Sequence, residues 1–270
     1  MEVMKTNINK IISSKGKRKL SMITVYSFFQ AKMAEEAGMD ILLVGDSLGN
    51  VMLGYENTLP VSMDEMSLAV QAARRGAKKS FIIADMPFLS YQSSISEAVN
   101  NAGRFLKDGA NAVKIEGGKE VKTIIETLVN YGIPVMGHIG LTPQQINRIG
   151  TYKVQGKTEK NKNRLIEEAK VIENSGAFSL VLELVVEEVA MQITEKISIP
   201  TIGIGAGRYC DGQVLVWHDL LGINTEFTPK FVKKYANLRE VIVKSLKEYI
   251  SDINEGKFPT DENVFKGELK

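Results

Sequence analysis

The alternation of short apolar runs with amphipathic stretches predicts an α/β fold, a (β/α)8 TIM barrel with an N-terminal helical segment and C-terminal helices. Three observations carry that reading. Eight apolar runs have the length and composition of buried parallel strands. Glycines at 38, 76, 109, 132 and 176 each stand shortly before the next strand, at the position after a helix end where a left-handed backbone suits Gly. The first run leads into TVYSFFQ, which lacks the Gly-rich phosphate loop that an open doubly wound sheet would place there.

The elements follow in order. The segment before Leu20 is read as a helix across the barrel's bottom. Strands are expected at 20–26, 40–46, 80–86, 112–117, 133–139, 178–185, 199–205 and 213–218. Ser62 with Glu65 forms a capping-box signature before a helix near 63–75, and Ser94 with Glu97 repeats it before 95–108. In the tail 229–270, Phe231, Val232, Tyr235, Leu238, Val241, Ile242 and Leu246 show i, i+3, i+4 spacing, which predicts an amphipathic helix over 230–250. No linker-like Pro/Ser-rich stretch interrupts the chain, so 1–270 is read as a single barrel domain.

Composition excludes several classes. A net charge of +2 gives no basic surface for nucleic acid and no pull toward a membrane. No apolar run reaches the roughly 20 residues of a membrane span, and the polar N-terminus has no signal-peptide core. One cysteine, Cys210, rules out an intrachain disulfide framework. The expected location is the cytoplasm.

The ends of four apolar runs carry acids: Asp46 in LLVGD, Asp85 in FIIAD, Glu116 in AVKIE and Glu183 in LVLE. The fifth run carries His138. In barrels of this kind the C-terminal strand ends form the active site. Lys114 lies two residues before Glu116, so both side chains share the inner face of the fourth strand. Carboxylates gathered around one pocket repel each other unless protons or a cation intervene. A hard divalent cation, Mg²⁺ best, satisfies oxygen ligands and leaves positions for substrate oxygens. Zinc is disfavoured, because His138 stands alone and Cys210 is far along the chain. Cys210 reads as a packed residue, His218 as structural, and Arg74, Arg75, Lys78 and Lys79 as a solvated helix end.

The strings GDSLGNVMLGYENTLPV (45–61), RRGAKKSFIIADMPFLSYQ (74–92), AVKIEGG (112–118), PVMGHIGLTPQ (134–144), YKVQGKT (152–158), LVLEL (180–184), IPTIGIGAG (199–207) and CDGQVLVWHDLLG (210–222) resemble the ketopantoate hydroxymethyltransferase family from about Leu20 to Leu238. The resemblance implies transfer of a hydroxymethyl group from 5,10-methylenetetrahydrofolate to 3-methyl-2-oxobutanoate through a Mg²⁺-bound enolate, giving ketopantoate for pantothenate synthesis. It implies one Mg²⁺ per subunit at Asp46, Asp85 and Glu116. It places the keto acid on Asp46, Ser47, Asp85, Lys114 and His138, and makes Glu183 the general base. It also implies a homo-oligomer, a decamer. The sequence departs from the family at Ser27, where an acid is common, at Asn50, where a hydrophobic residue is common, and at Lys157, where arginine is common. A competing reading is a Mg²⁺-dependent C–C lyase or mutase acting on a related 2-oxo acid. Those enzymes usually carry a catalytic cysteine in a KKCGH-like loop, and this chain has none.

Overall fold

A computed structural model describes residues 6–226 and 228–267. Residues 1–5 of the expected N-terminal segment and 268–270 of the tail lie outside the described residues. Eight parallel strands close a barrel in chain order, β1 (Leu20–Thr24), β2 (Ile41–Val44), β3 (Phe81–Asp85), β4 (Ala112–Glu116), β5 (Val135–Gly140), β6 (Ser179–Glu183), β7 (Thr201–Ile204) and β8 (Gly212–Leu215), with β8 pairing back onto β1. Between them run α2 (Phe28–Glu36), α3 (Leu48–Val51), α4 (Met63–Gly76), α5 (Ile95–Asp108), α6 (Lys122–Asn130), α7 (Ile146–Ile149), α8 (Glu159–Asn174) and α9 (Glu187–Lys196), after a short α1 (Ile8–Ile12).

The strand runs are apolar throughout because both faces are covered. Leu20 and Met22, Ile41 and Leu43, and Phe81 and Ile83 fill the interior with Met136, Phe178, Val181, Ile202 and Val214. Phe81 and Phe178 meet edge to face, centroids 5.8 Å apart. Ile11 of α1, fully buried, belongs to the same cluster, so the N-terminal helix closes the barrel from below.

Several boundaries differ from expectation. β2 ends at Val44, and Asp46 lies in the following turn, because its N–H donates to the Asp85 carboxylate (3.1 Å) instead of a neighbouring strand. β8 ends at Leu215; the Trp217 N–H donates to Thr24 Oγ1 (3.0 Å), and α10 (Trp217–Leu220) begins where strand was expected. Gly76 is still helical rather than left-handed; a Cβ there would lie 2.2 Å from the Phe28 carbonyl oxygen, so α2 and α4 require glycine at that crossing. Ser62 and Glu65 form the full capping box, whereas Ser94 caps α5 without the reciprocal bond, because Glu97 binds Ser93. Arg74 is half-buried instead of solvated: it donates to the Gly109 and Ala77 carbonyls and to Asn111 Oδ1 (2.7 Å), knitting the loops before β3 and β4 together.

The chain groups into two compact units, Met1–Trp217 and His218–Lys270. In the second, the tail helix α11 runs Leu238–Asn254, so Phe231, Val232 and Tyr235 precede it. The N–H groups of Tyr235, Leu238 and Arg239 bind the carbonyls of Leu220, Leu221 and Gly222, which holds 235–237 extended and delays the helix. Val241, Ile242 and Leu246 are exposed.

At the N-terminal end of the barrel, Lys15 Nζ binds Asp211 (2.8 Å) and the Thr194 carbonyl (2.7 Å), and Asp211 also accepts from the Thr201 N–H (2.9 Å). Burial works to raise the Asp211 pKa, but Lys15 and the Thr201 and Gly16 N–H groups prevail and lower it. A carboxyl lowered on folding stabilises the fold above its unfolded value of about 3.9, and that contribution disappears as pH falls through the folded value. Asp211→Asn is expected to cost about 3 kcal/mol at pH 7 and to flatten the loss of stability below about pH 4. Urea melts across that range check both; an unchanged acid limb contradicts the assignment.

Candidate active site

Register brings the predicted side chains together. In β3 and β4, Asp85 lies opposite Lys114; in β4 and β5, Glu116 lies opposite His138; in β5 and β6, Gly140 lies opposite Glu183. Asp46 and Ser47 join them from the turn after β2. One cavity of about 180 Å³ is lined by Asp46, Ser47, Asp85, Lys114, Glu116, His138 and Glu183, over an apolar floor of Leu43, Val181, Ile204 and Val214. Gly140 adopts φ +101°, and a Cβ on it would lie 2.3 Å from the Glu183 carbonyl oxygen, so glycine is needed for β5 to approach the end of β6. Leu184, directly after Glu183, is itself left-handed (φ +47°), and its carbonyl accepts from Gln155 (2.6 Å) in the loop above.

Lys114 Nζ is the hub: 3.0 Å from His138 Nδ1, 3.2 Å from Asp85 Oδ1 and 3.8 Å from Glu116 Oε1, with only 5% of its side chain exposed. Burial disfavours its charge, but Asp85, Glu116, Asp46 and Glu183 outweigh burial and raise its pKa. Burial raises Asp46, reinforced by repulsion from Asp85 and Glu116, and burial raises Asp85 as well. Burial works the same way on Glu116, yet His138, Lys114 and the Gln144 N–H hold it low. Burial and Lys114 depress His138, while Glu116 and Glu183 pull it up to about 9. Nδ1 lies between Lys114 Nζ (3.0 Å) and Glu116 Oε1 (3.4 Å), so the protonation of the ring decides which of the two it bonds. Nε2 stands 3.2 Å from Glu183 Oε2, off the line of a good hydrogen bond. Glu183 retains 18% exposure at the cavity wall.

Sequence reasoning missed three residues. Gln144, buried in the turn after β5, donates its backbone N–H to Glu116 Oε2 (3.1 Å) and its side chain to Asp46 Oδ2 (2.9 Å). Tyr91 reaches Gln144 Oε1 (2.9 Å). Tyr26 shares a hydrogen bond with Ser47 Oγ (2.9 Å). The one available signal was the TPQ string immediately after the His138 strand. Of the departures, Ser27 caps α2, Asn50 lines the cavity and binds the Tyr55 carbonyl, and Lys157 is exposed. Cys210 is buried outside the cavity lining, and burial raises its thiol pKa, as an unreactive packed residue requires.

The donor set is carboxylate oxygen, which suits a hard divalent cation. Asp85 Oδ1 is buried without an aligned hydrogen bond and meets only the Lys114 ammonium, at 3.2 Å, which leaves it acceptor capacity for a further cation. Among the described residues, no three His, Cys, Asp or Glu side chains are drawn together at metal-holding spacing. Lys114 pairs with Asp85, and Gln144 bonds both Asp46 and Glu116.

A family model described as ketopantoate hydroxymethyltransferase matches residues 5–261. A 3-methyl-2-oxobutanoate hydroxymethyltransferase of Kosmotoga olearia is 67% identical over 260 residues, covering 96% of this chain and 97% of its own. The enzyme of the same name from Thermotoga maritima is 61% identical, covering 98% of each. Among solved structures, 2,3-dimethylmalate lyase, a PEP mutase/isocitrate lyase superfamily member, aligns with a TM-score of 0.58 at 14% identity, covering 97% of this chain and 93% of that one. A phosphonopyruvate hydrolase complex with oxalate and Mg²⁺ aligns with a TM-score of 0.60 at 11% identity, covering 97% and 92%. At such identities these two show the fold alone. No helix among the described residues is long and apolar enough to cross a membrane.

Proposed function

The chain belongs to the ketopantoate hydroxymethyltransferase family, an enzyme family acting on small molecules, and from that premise we propose how its residues carry out the transfer. The acceptor is 3-methyl-2-oxobutanoate and the donor 5,10-methylenetetrahydrofolate. The observation that carries this reading is a single cavity with Glu183 on one wall and the buried Asp46, Asp85, Glu116 and Lys114 set on the other strands. A volume of about 180 Å³ suits a keto acid of this size, and the far larger donor lies across the mouth, beside half-exposed Tyr152.

Asp46, Asp85 and Glu116 would hold Mg²⁺. An ion so held would supply Lewis-acid stabilisation of charge growing on the keto oxygen. Lys114, kept cationic by its neighbours, faces the substrate carboxylate and the same developing charge. Leu43, Val181, Ile204 and Val214 receive the branched alkyl end and exclude water from it. The carbon to be deprotonated then lies toward Glu183, two residues beyond Val181 on the same face of β6. Glu183 takes that proton, and the Nε2–H of His138 steadies its carboxylate. Ser47, held by Tyr26, offers a hydroxyl at the edge of the cavity.

The test is formation of ketopantoate from the two substrates with and without EDTA. Activity that requires both substrates and disappears on chelation is expected, with restoration by added Mg²⁺. Activity indifferent to EDTA refutes the metal; no product from this pair refutes the substrates.

A further inference from the structure

We propose that Gln144 is the positioning residue that presents the Asp46 and Glu116 carboxylates to the cation, each by holding one of its two oxygens. This rests on the Mg²⁺ reading above and assigns a role to a residue that touches no substrate.

Gln144 is held in one orientation. Its Oε1 accepts from the Tyr91 hydroxyl (2.9 Å) and, at 3.4 Å, from Gln92 Nε2. Its amide nitrogen donates to Asp46 Oδ2 and to the Met86 carbonyl, both at 2.9 Å. Flipping the amide would set its oxygen against a carboxylate and a carbonyl, two acceptors with no proton between them, so the network selects the observed orientation. The Tyr91 hydroxyl is also within 3.0 Å of the Glu116 carbonyl, tying the same anchor to the end of β4.

One residue therefore bridges acids from two different strand ends. Its side chain takes Asp46 Oδ2 and its backbone N–H takes Glu116 Oε2 (3.1 Å). Glu116 Oε1 is left on the side of Lys114 (3.8 Å) and His138 (3.4 Å). A carboxylate with one oxygen occupied by a fixed donor ligates a small octahedral cation through the other, as Mg²⁺ prefers. Without the donor each carboxylate regains rotation, and ordering it again falls to the ion. Such outer partners typically set metal affinity by about 10–100-fold.

Protein stripped with EDTA and freed of chelator is titrated with MgCl₂ by calorimetry, in the absence of substrates. Gln144→Met, which keeps length and the backbone N–H on Glu116 but loses both side-chain polar atoms, frees Asp46 and is expected to bind Mg²⁺ about 10–100-fold more weakly. Its metal-free melting temperature should fall, because Asp46 Oδ2 and the Met86 carbonyl lose a buried donor, while Tyr91→Phe leaves that donor in place. The kcat of Gln144→Met should recover as Mg²⁺ is raised, because the acids themselves remain. Tyr91→Phe, which removes only the orienting hydroxyl, should show a smaller loss in the same direction. Gln144→Met with parental Mg²⁺ affinity overturns the proposal alone; a parent protein that binds no Mg²⁺ overturns the metal reading and this with it. If Gln144→Met does not fold, unaltered Mg²⁺ affinity in Tyr91→Phe overturns the proposal.

Discussion

Glu183→Gln is expected to abolish exchange of the C3 proton of 3-methyl-2-oxobutanoate with solvent, while the keto acid still binds. The substitution keeps size and removes basicity. The Glu183 side chain meets the Lys114 cluster only through His138 and is 18% exposed, so the fold should tolerate the amide. Loss of a general base lowers kcat by about 10²–10⁴-fold, or about 3–5 kcal/mol of transition-state stabilisation. Exchange followed by proton NMR in D₂O isolates this step from the later attack on the donor. Parental exchange rates in the variant would remove Glu183 from the role. Exchange lost together with keto-acid binding would assign Glu183 to binding instead.

Lys114→Met has the second large effect, on both stability and binding. Nζ is buried against Asp85, Glu116 and His138, with Asp46 beyond. Methionine fills the volume and leaves these acids without their cation. Removing one partner from a buried charge cluster costs about 3–5 kcal/mol, which urea melts in EDTA should register. Keto-acid binding should weaken by about 2–5 kcal/mol, measured as KM at saturating Mg²⁺. Added Mg²⁺ should recover part of the stability, since it re-neutralises the acids, and little of the KM, since it does not replace the ammonium. Parental stability in EDTA would mean that the neighbouring acids are already neutral without Lys114.

Much of this arrangement was legible in the chain. Period-2 geometry placed Lys114 and Glu116 on one inner face, and the strand-end rule for barrels gathered Asp46, Asp85, Glu116, His138 and Glu183 before any coordinates. What escaped had no periodic signature. Gln144 acts because the turn after β5 folds back over two other strand ends, a long-range relation that leaves no local pattern. Gly76 looked like a helix terminator and is a crossing point, since only the packed partner reveals the Phe28 oxygen where a Cβ would stand. Arg74 looked like surface charge because its acceptors are backbone carbonyls, which every residue carries. The start of α11 was misplaced because apolar spacing ran on through residues whose N–H groups are bonded to distant carbonyls.

Ile11 beneath the barrel, with Phe81 and Phe178 meeting edge to face in the same cluster, makes the cavity a cul-de-sac with one door. Traffic through a single door is a queue. On the proposed pair of substrates, the expected order is the small reactant inside before the large one arrives over it, and the spent donor out before the enlarged product follows. On that reading, the packing of the closed end sets the order of events at the open one.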